Sequence, residues 1–344
     1  MCHLEMSKGK TMADELTNRP KNEIALMDGI IDIERLVAEW LGLDVANGDA
    51  CSDTIKTYQA QFDAWATWCR GNNVEPQHAD IDDLKRWRQD LVVAGEASST
   101  IKRKLTIVRR FYQAAVDRGL IKTNPVANVK APKERRATSE KVKYLSAGEA
   151  ELLFRAVPAE RRLKNLRDRA MIALMALEGL RRVEIERANT DDLERTPDEG
   201  VRLLVHGKGR DGYVYPREDT ARSLMDYIEM RGSVDPDSDG QPLFVRIAKG
   251  SDIRGRITRG GINSVVDTYL RAAGLKKAGI SCHALRHTCG TLIYQATRDV
   301  KAVMETLRHR NINTSAIYAG IANRSQARYS REIQVKINGG NDEL

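Results

Sequence analysis

Four polar side chains that can do chemistry lie within one stretch of the C-terminal half, residues 281–320. His283 and Arg286 are three residues apart, so one face of a helix can carry both. His309 and Tyr318 follow in further runs of helix-forming residues. Short helices are predicted over residues 284–297, 299–307 and 314–321. Packed together, such helices would bring two histidines, an arginine and a tyrosine to one point.

These side-chain types suit chemistry at a phosphate. Arginine presents a planar fork of donors that fits phosphate oxygens, and histidine moves protons near neutral pH. A tyrosine hydroxyl, with a pKa of about 10, becomes a nucleophile only beside a base and a strongly positive electrophile. A phosphodiester needs more than one arginine, so further cations are expected upstream.

The segment GLRRVEI, at residues 179–185, supplies one of them. It places Arg181 just after a glycine typical of a helix end, with Glu184 three residues later. An arginine at that point lies near the domain interior or a cleft. The alternative interpretation of Arg181 is an ordinary surface arginine.

A second motif, HGKGRDG at residues 206–212, supplies a lysine. It separates strands predicted over 201–206 and 213–215, so the pattern predicts a hairpin turn. Lys208 at its tip is a further candidate cation for the phosphate. Most such turns, taken singly, carry only an ordinary turn lysine.

Taken together, these motifs resemble the tyrosine recombinase (phage integrase) family. They follow the family's order over roughly the C-terminal 170–180 residues: GLRRVEI, the Lys of HGKGRD, HALRHT, LRHRN, and a Tyr nine residues after the last His. The resemblance implies the catalytic residues Arg181, Lys208, His283, Arg286, His309 and Tyr318. It implies that Glu184 orients this set, and His287 is interpreted as a supporting core residue.

The mechanism that the resemblance implies is DNA strand exchange through a 3′-phosphotyrosine link and a Holliday junction. Tyr318 attacks the scissile phosphate, His283 helps to accept its proton, and Lys208 protonates the departing 5′-oxygen. The non-bridging oxygens are held by Arg181, Arg286 and His309. No metal, ATP or other cofactor is expected, because the covalent link conserves the energy of the broken bond.

One residue departs from the family's pattern. Family members commonly have glycine before the second histidine, where this chain has Arg308 before His309. Glycine there indicates a close backbone approach or a positive φ. The geometry at Arg308 is therefore open, and its cation is a candidate DNA contact.

Zinc binding is an alternative use of the same region, since His283 and His287 lie between Cys282 and Cys289. Zinc needs a closed ligand set at characteristic spacing, and the five cysteines form no Cys-x-x-Cys pair. The two cysteines are better interpreted as small apolar fillers. An odd cysteine count without a leader-like segment favours reduced thiols in a cytoplasm.

The composition favours a polyanionic partner, since the net charge is +8 and the pI about 9.2. The expected partner is double-stranded DNA with specific recombination sites, bound by a homotetramer that assembles from monomers. No apolar run approaches the length of a membrane span. A cytoplasmic, nucleoid-associated place in a bacterial or phage-like setting is expected.

The predicted fold is mainly α with a small β-sheet in the C-terminal domain. It is a two-domain DNA clamp, with a helical core-binding domain before an α/β catalytic domain, as the resemblance implies. The predicted divisions are a partly helical N-terminal extension (1–48), a helical domain (49–128), a basic linker (129–143), a catalytic domain (144–322) and a C-terminal helix and tail (323–344).

The helical domain shows two apolar stripes at helical spacing, Tyr58–Phe62–Trp65–Cys69 and Ile101–Leu105–Val108–Tyr112–Ala115. Asp80 and the pair Ser146 and Glu149 predict helix starts. The segment from 165 to 177 predicts a central buried helix of the catalytic domain.

Basic residues beside the second stripe and in the linker are predicted to contact DNA; the alternative is a solvated charged surface. They are Lys102, Arg103, Lys104, Arg109, Arg110, Lys130, Lys133, Arg135 and Arg136.

Two other functions fit part of the pattern. A type IB topoisomerase-like enzyme uses the same chemistry but acts alone to relax supercoils. A DNA-binding regulator would keep the fold without catalysis, and the intact set of six polar residues argues against it.

Overall fold

The computed structural model describes residues 33–134, 142–197, 200–207, 211–235, 240–248 and 252–322. The chain divides into two compact units, residues 1–135 and 136–344. None of the described helices combines the length and apolar character that a membrane crossing needs.

The described part of the first unit is helical. Its α-helices are α1 (Ile33–Glu39), α2 (Ser52–Gly71), α3 (Ile81–Val93) and α4 (Ser98–Asp117). A π-helical turn and two 3-10 turns lie between them, at Trp40–Asp44, Val45–Gly48 and Pro76–His78. Asp80 caps α3 as predicted, because its carboxylate accepts the Asp83 N–H at 2.9 Å while Asp83 accepts the Asp80 N–H.

Aromatic rings fill the core of this unit. Phe62 and Phe111 lie 4.4 Å apart between ring centroids, and Trp65 and Trp87 lie 4.9 Å apart. The Trp65 indole N–H donates to the Tyr112 hydroxyl at 3.0 Å, which satisfies a buried donor. The stripe predicted on α4 is fully buried, and on α2 Tyr58 is only partly buried.

Residues 33–48, the described part of the N-terminal extension predicted over 1–48, belong to this core. Trp40 is buried against Tyr58 and Phe111, and Leu36 and Val45 are buried with it. The predicted helical part of the extension is represented by α1, which ends at Glu39. The part of the extension before Ile33 lies outside the described residues.

The start of the expected linker also belongs to the first unit. Val129 is buried, and its carbonyl accepts a hydrogen bond from Arg109 at 2.7 Å. The carbonyl of Lys130 accepts another from Arg88 at 2.8 Å. The chain from 129 to 134 thus lies against the helical domain, so the linker cannot begin at 129 as predicted. Residues 135–141 lie outside the described part of the chain.

The second unit is also mainly helical. Its described helices are α5 (Ala147–Arg155), α6 (Leu163–Ala176), α7 (Arg182–Arg187), α8 (Glu218–Val234), α9 (Arg259–Ala272), α10 (Cys282–Thr297), α11 (Val300–Thr306) and α12 (Ile312–Ala322). Ser146 and Glu149 form the predicted capping box of α5. α6 is the central helix, as predicted, with Met171, Ile172 and Leu174 fully buried.

Two small antiparallel sheets complete this unit. Their strands are β1 (Leu193–Arg195), β2 (Val201–His206), β3 (Asp211–Val214), β4 (Val245–Ile247) and β5 (Ile253–Arg256). β2 lies between β1 and β3, and β4 pairs with β5. Burial alternates along β2, so one of its faces packs on the core. The predicted β2 is confirmed, β3 begins two residues earlier than predicted, and β1, β4 and β5 were not predicted. The fold class is mainly α with small sheets, as expected.

Candidate active site

Arg181 is placed by a tight junction between α6 and α7. Gly179 has a φ of +66°, and a Cβ there would lie 2.3 Å from Cδ2 of Leu307. The glycine therefore allows the chain to pass directly against the end of α11. Arg181 follows as the N-cap of α7, and its guanidinium Nη1 donates to Oε1 of Glu184 at 2.6 Å. Glu184 is 1% exposed and the Arg181 side chain 37%, so the carboxylate orients a guanidinium that reaches solvent.

Arg286 lies one turn inside α10 and is 3% exposed. Its two terminal nitrogens donate to the carbonyl oxygens of Gly179 and Leu307. Burial, followed by the nearby Arg181, lowers the pKa of Arg286 to about 10, so it stays charged at neutral pH. Arg286 thus joins the α6–α7 junction to the end of α11.

Tyr318, on α12, is 1% exposed. Its hydroxyl lies 3.0 Å from Nδ1 of His287, and its ring stacks on His309 with an angle of 13° between the planes. Burial raises the pKa of Tyr318 to about 12, which the positive charge of Arg286 partly offsets. The phenol is therefore protonated at neutral pH and needs a base before it can attack.

The histidines of the site are neutral at physiological pH. Burial and neighbouring positive groups lower the pKa of His287 and of His309 to about 4. Partial burial of the ring and the nearby Arg286 lower the pKa of His283 too. In one tautomer of His287 the Tyr318 hydroxyl donates to Nδ1, which is the direction a proton acceptor needs. His309 instead pairs its Nδ1 with the Ser315 hydroxyl at 2.8 Å.

The structure brings Arg286, His309 and Tyr318 together, as the helical spacing predicted, and Arg181 lies beside them, as the resemblance implied. It differs from the expectation for His283, whose ring packs edge-on against that of His287 at 4.9 Å between centroids. His287, rather than His283, contacts the tyrosine hydroxyl. Both lie on α10 four residues apart, so the sequence contained no signal that separates them.

Lys208 lies outside the described residues, so its predicted place at the hairpin tip stays a prediction. The strands on either side of it are fixed: Nδ1 of His206, in β2, lies 3.1 Å from the carboxylate of Asp211, in β3. The C-terminal helix expected after Tyr318 also lies beyond the described chain.

The predicted DNA-contact residues divide into two groups. Lys104 forms an ion pair with Glu96, and Arg109 donates to the carbonyls of Val126 and Val129, so both already support the helical domain. The exposed members are Lys102, Arg103, Arg110, Lys130 and Lys133. Arg135 and Arg136 lie outside the described residues.

The thiols beside the site are buried. Burial raises the pKa of Cys282 to about 11 and that of Cys289 to about 12, so both remain protonated at neutral pH. Among the residues that the structure describes, no three His, Cys, Asp or Glu side chains group as a metal site would need.

Comparison with known proteins agrees with this geometry. A tyrosine recombinase XerC of Thermodesulfovibrio yellowstonii is 27% identical over 284 residues, covering 81% of this chain and 89% of the relative. Among solved structures, XerH site-specific recombinase bound to palindromic difH substrate has a TM-score of 0.65 at 20% identity, covering 81% of this chain and 79% of that one. A lambda integrase tetramer bound to a Holliday junction has a TM-score of 0.64 at 15% identity, covering 92% and 83%. These two structures share the fold of this chain.

Two family descriptions match the sequence. Residues 47–119 match the phage integrase N-terminal SAM-like domain, and residues 143–324 match the phage integrase family itself. The second match covers more than half of the chain and contains Arg181, Arg286, His309 and Tyr318. The chain belongs to the phage integrase family of tyrosine recombinases.

Proposed function

We propose that this protein is a site-specific DNA recombinase that cleaves and rejoins duplex DNA with Tyr318 as its nucleophile. The observation that carries the proposal is the placement of the Tyr318 hydroxyl, 3.0 Å from a neutral histidine nitrogen and among Arg181, Arg286 and His309. A tyrosine, a proton acceptor and fixed cations are the parts that phosphoryl transfer requires.

In the cleavage step, the Tyr318 oxygen forms a bond to phosphorus as its proton passes to His287. The bond from phosphorus to the 5′-oxygen breaks, which leaves a 3′-phosphotyrosine link. Lys208 gives the leaving oxygen its proton, and rejoining reverses these steps with the 5′-hydroxyl of another strand. His283, whose ring packs against that of His287, is the second candidate acceptor of the Tyr318 proton.

The cations stabilise the charge that develops on the phosphate. Arg286 uses donors of its fork on the carbonyls of Gly179 and Leu307, which fixes the plane of the guanidinium. Arg181 is held by Glu184 yet reaches solvent. With His309, these groups bind the non-bridging oxygens without reorganising during the reaction.

Tyr318 must be uncovered before it can attack a phosphate. Its side chain is 1% exposed, whereas a phosphate of duplex DNA approaches from solvent. The structure thus describes a resting state in which the nucleophile is protonated and covered.

The partner is double-stranded DNA, which the basic composition and the exposed lysines and arginines of the first unit support. A homotetramer on synapsed sites is the assembly we propose, supported by the lambda integrase tetramer on a Holliday junction. The XerC relative is bacterial, and a bacterial cytoplasm, at the nucleoid DNA, is the place of action that we propose. The comparisons give no support to a topoisomerase or a silent regulator.

The test of the proposed function is covalent capture of DNA. The protein is incubated with a pool of duplexes that carry a randomised central segment and is run on a denaturing gel. Tyr318→Phe, which removes one hydroxyl, should abolish the protein–DNA adduct and leave binding unchanged. An adduct at the wild-type level from Tyr318→Phe, or none from the wild type, would show the proposal to be wrong.

A further inference from the structure

Arg308 occupies a backbone position that favours glycine. Its φ is +53°, in the left-handed region that L side chains adopt at a cost in stability. A long side chain at such a position needs contacts that offset the strain. Arg308 makes such contacts through its guanidinium group.

The Arg308 guanidinium turns inward rather than toward DNA. Its Nη2 lies 2.9 Å from Oε2 of Glu184, and its Nη1 donates to the carbonyl of Thr306 at 2.9 Å. Its side chain is only 17% exposed. Arg308 is therefore one half of a shielded ion pair, and the hypothesis of a direct DNA contact does not fit.

Glu184 is shared between two guanidiniums. Oε1 accepts from Nη1 of Arg181 at 2.6 Å, while Oε2 accepts from Arg308. Burial alone would raise the pKa of Glu184, but Arg308 and Arg181 outweigh burial and lower it. The carboxylate is therefore ionised, and the three groups together carry one net positive charge.

This sharing matters for Arg181. Paired with Arg181 alone, a buried carboxylate would neutralise the guanidinium that is meant to meet the phosphate. With Arg308 on its other oxygen, Glu184 still orients Arg181 but neutralises it less.

Arg308 also links the segments that carry the site. It directly precedes His309, its Cδ would lie 3.8 Å from a Cβ at Gly212 in β3, and it reaches Glu184 in α7. Movement of any of these segments would therefore change the geometry of the ion pair between Arg308 and Glu184.

We propose that Arg308 is a positioning residue for phosphate binding: by compensating the charge of Glu184, it sets the charge and orientation that Arg181 presents to the scissile phosphate. The proposal rests on the proposed function. It assigns a role to the side chain of Arg308, at a position where members of the family commonly have glycine.

A double-mutant cycle tests it. The single-turnover rate of adduct formation is measured at saturating protein, with a duplex recovered from the covalent capture. Arg308→Gly relieves the backbone strain yet should slow the rate about 10- to 100-fold, because Arg181 is misplaced. In a Glu184→Gln background the same change should alter the rate less than about threefold, because there is no carboxylate charge left to compensate. Arg308→Lys should restore part of the rate.

Arg222→Ala is the matched control. Arg222 is an exposed arginine of α8 that pairs with Glu218, so its loss removes the same charge away from the site and should leave the rate unchanged. A rate for Arg308→Gly within about twofold of the wild type would overturn the proposal, as would the same fold loss in both backgrounds.

Urea unfolding of the four proteins without DNA keeps the test independent of activity. The effects of Arg308→Gly and Glu184→Gln on the free energy of unfolding should be non-additive, since the two side chains contact each other. Additive effects would overturn the proposal even if the wild type forms no adduct. Absence of the wild-type adduct alone would contradict the proposed function instead.

Discussion

At the scale of single residues, burial and positive neighbours keep the bases of the site unprotonated. The folded state holds His287 with a pKa of about 4 against an ordinary value of 6.5. Between these values the unfolded chain binds more protons than the folded one, so stability rises with pH across this window. Conversely, stability is lost as the pH falls from about 6.5 to about 4.

We therefore predict that His287→Gln makes the stability less sensitive to pH. The variant lacks one group that must be deprotonated on folding, so its free energy of unfolding should fall less steeply than that of the wild type between pH 6.5 and 4. Urea unfolding at several pH values, followed by circular dichroism, measures the slope. Parallel curves for the two proteins would contradict the assignment.

His206 provides a control of opposite sign. Its Nε2 lies 2.8 Å from Asp192 and its Nδ1 3.1 Å from Asp211, and these hydrogen bonds raise its pKa. Its stabilisation is present below the ordinary histidine pKa and is lost as the pH rises through the raised value. His206→Gln should thus destabilise the protein by a constant amount below pH 6.5, and its difference from the wild type should shrink as the pH rises above 6.5. The pH window that this variant changes lies above the one that His287→Gln changes.

Much of the residue-level site followed from spacing and side-chain chemistry. The grouping of Arg286, His309 and Tyr318 was predictable from helical spacing, and the role of Arg181 from the match of GLRRVEI to the family's motif. The contact of His287 with Tyr318 was not, because His283 and His287 share one face of α10 and only the packing of α12 decides between them. The inward turn of Arg308 depends on its backbone angle, which the sequence does not show.

At the scale of elements, α10 and α12 meet at a glycine. A Cβ on Gly290 would lie 2.6 Å from Cζ of Tyr318 and 2.8 Å from Cδ1 of Leu307. Real Cβ contacts are not this short, so α10 needs a glycine to let the tyrosine ring lie flat against it.

Gly290→Ala is accordingly expected to force Tyr318 out of place. Overpacking of this kind lowers stability by about 1–3 kcal/mol, and the displaced phenol should become more accessible to nitration. Gly232→Ala, in the exposed last turn of α8 with nothing within 4 Å, is the matched control. It should be neutral or stabilise by up to about 1 kcal/mol, since alanine favours helix over glycine. Equal stability changes in the two variants would argue against the close approach.

The helix α4 carries basic residues of two kinds, and a pair of variants separates them. Arg109 braces the chain after α4 through the carbonyls of Val126 and Val129. Arg109→Ala should therefore destabilise the first unit by about 1.5–3 kcal/mol, the range for hydrogen bonds from a charged group. Lys102→Ala should leave stability unchanged and weaken DNA binding, because Lys102 is exposed. Thermal unfolding and a binding assay on both variants check this difference.

Elements with strong local signals were predictable and short ones were not. α3 and α5 begin at capping boxes, and α6 has a long apolar run, so their positions followed from sequence. β4 and β5 are three and four residues long, too short for a period to show. Residues 1–48 were predicted to be partly helical, but the sequence pattern did not decide what this part packs against. In the structure, residues 33–48, which include the π-helical turn at Trp40–Asp44, lie in the core of the first unit.

At the scale of the whole molecule, two units with separate cores share one basic chain. In the second unit, positive charge is buried beside Tyr318. In the first unit, positively charged side chains are exposed on α4 and on residues 129–134. The exposed groups should supply affinity without reading sequence, because a charge that meets a phosphate releases counterions whatever the bases are.

Salt dependence measures that contribution directly. For each phosphate contact the slope of log K against log salt changes by about 0.9 on duplex DNA. Lys130→Gln and Lys133→Gln should each make the slope shallower by about this amount, and together by about twice as much. Lys85→Gln, an exposed lysine of α3 that pairs with Asp82 at 2.9 Å, removes the same charge and should leave the slope unchanged. The measurement is fluorescence anisotropy of a labelled duplex over a salt series, with Tyr318→Phe as the background so that no strand is cut. Slopes that fall equally in all three variants would mean that net charge alone, rather than contacts by residues 129–134, governs binding.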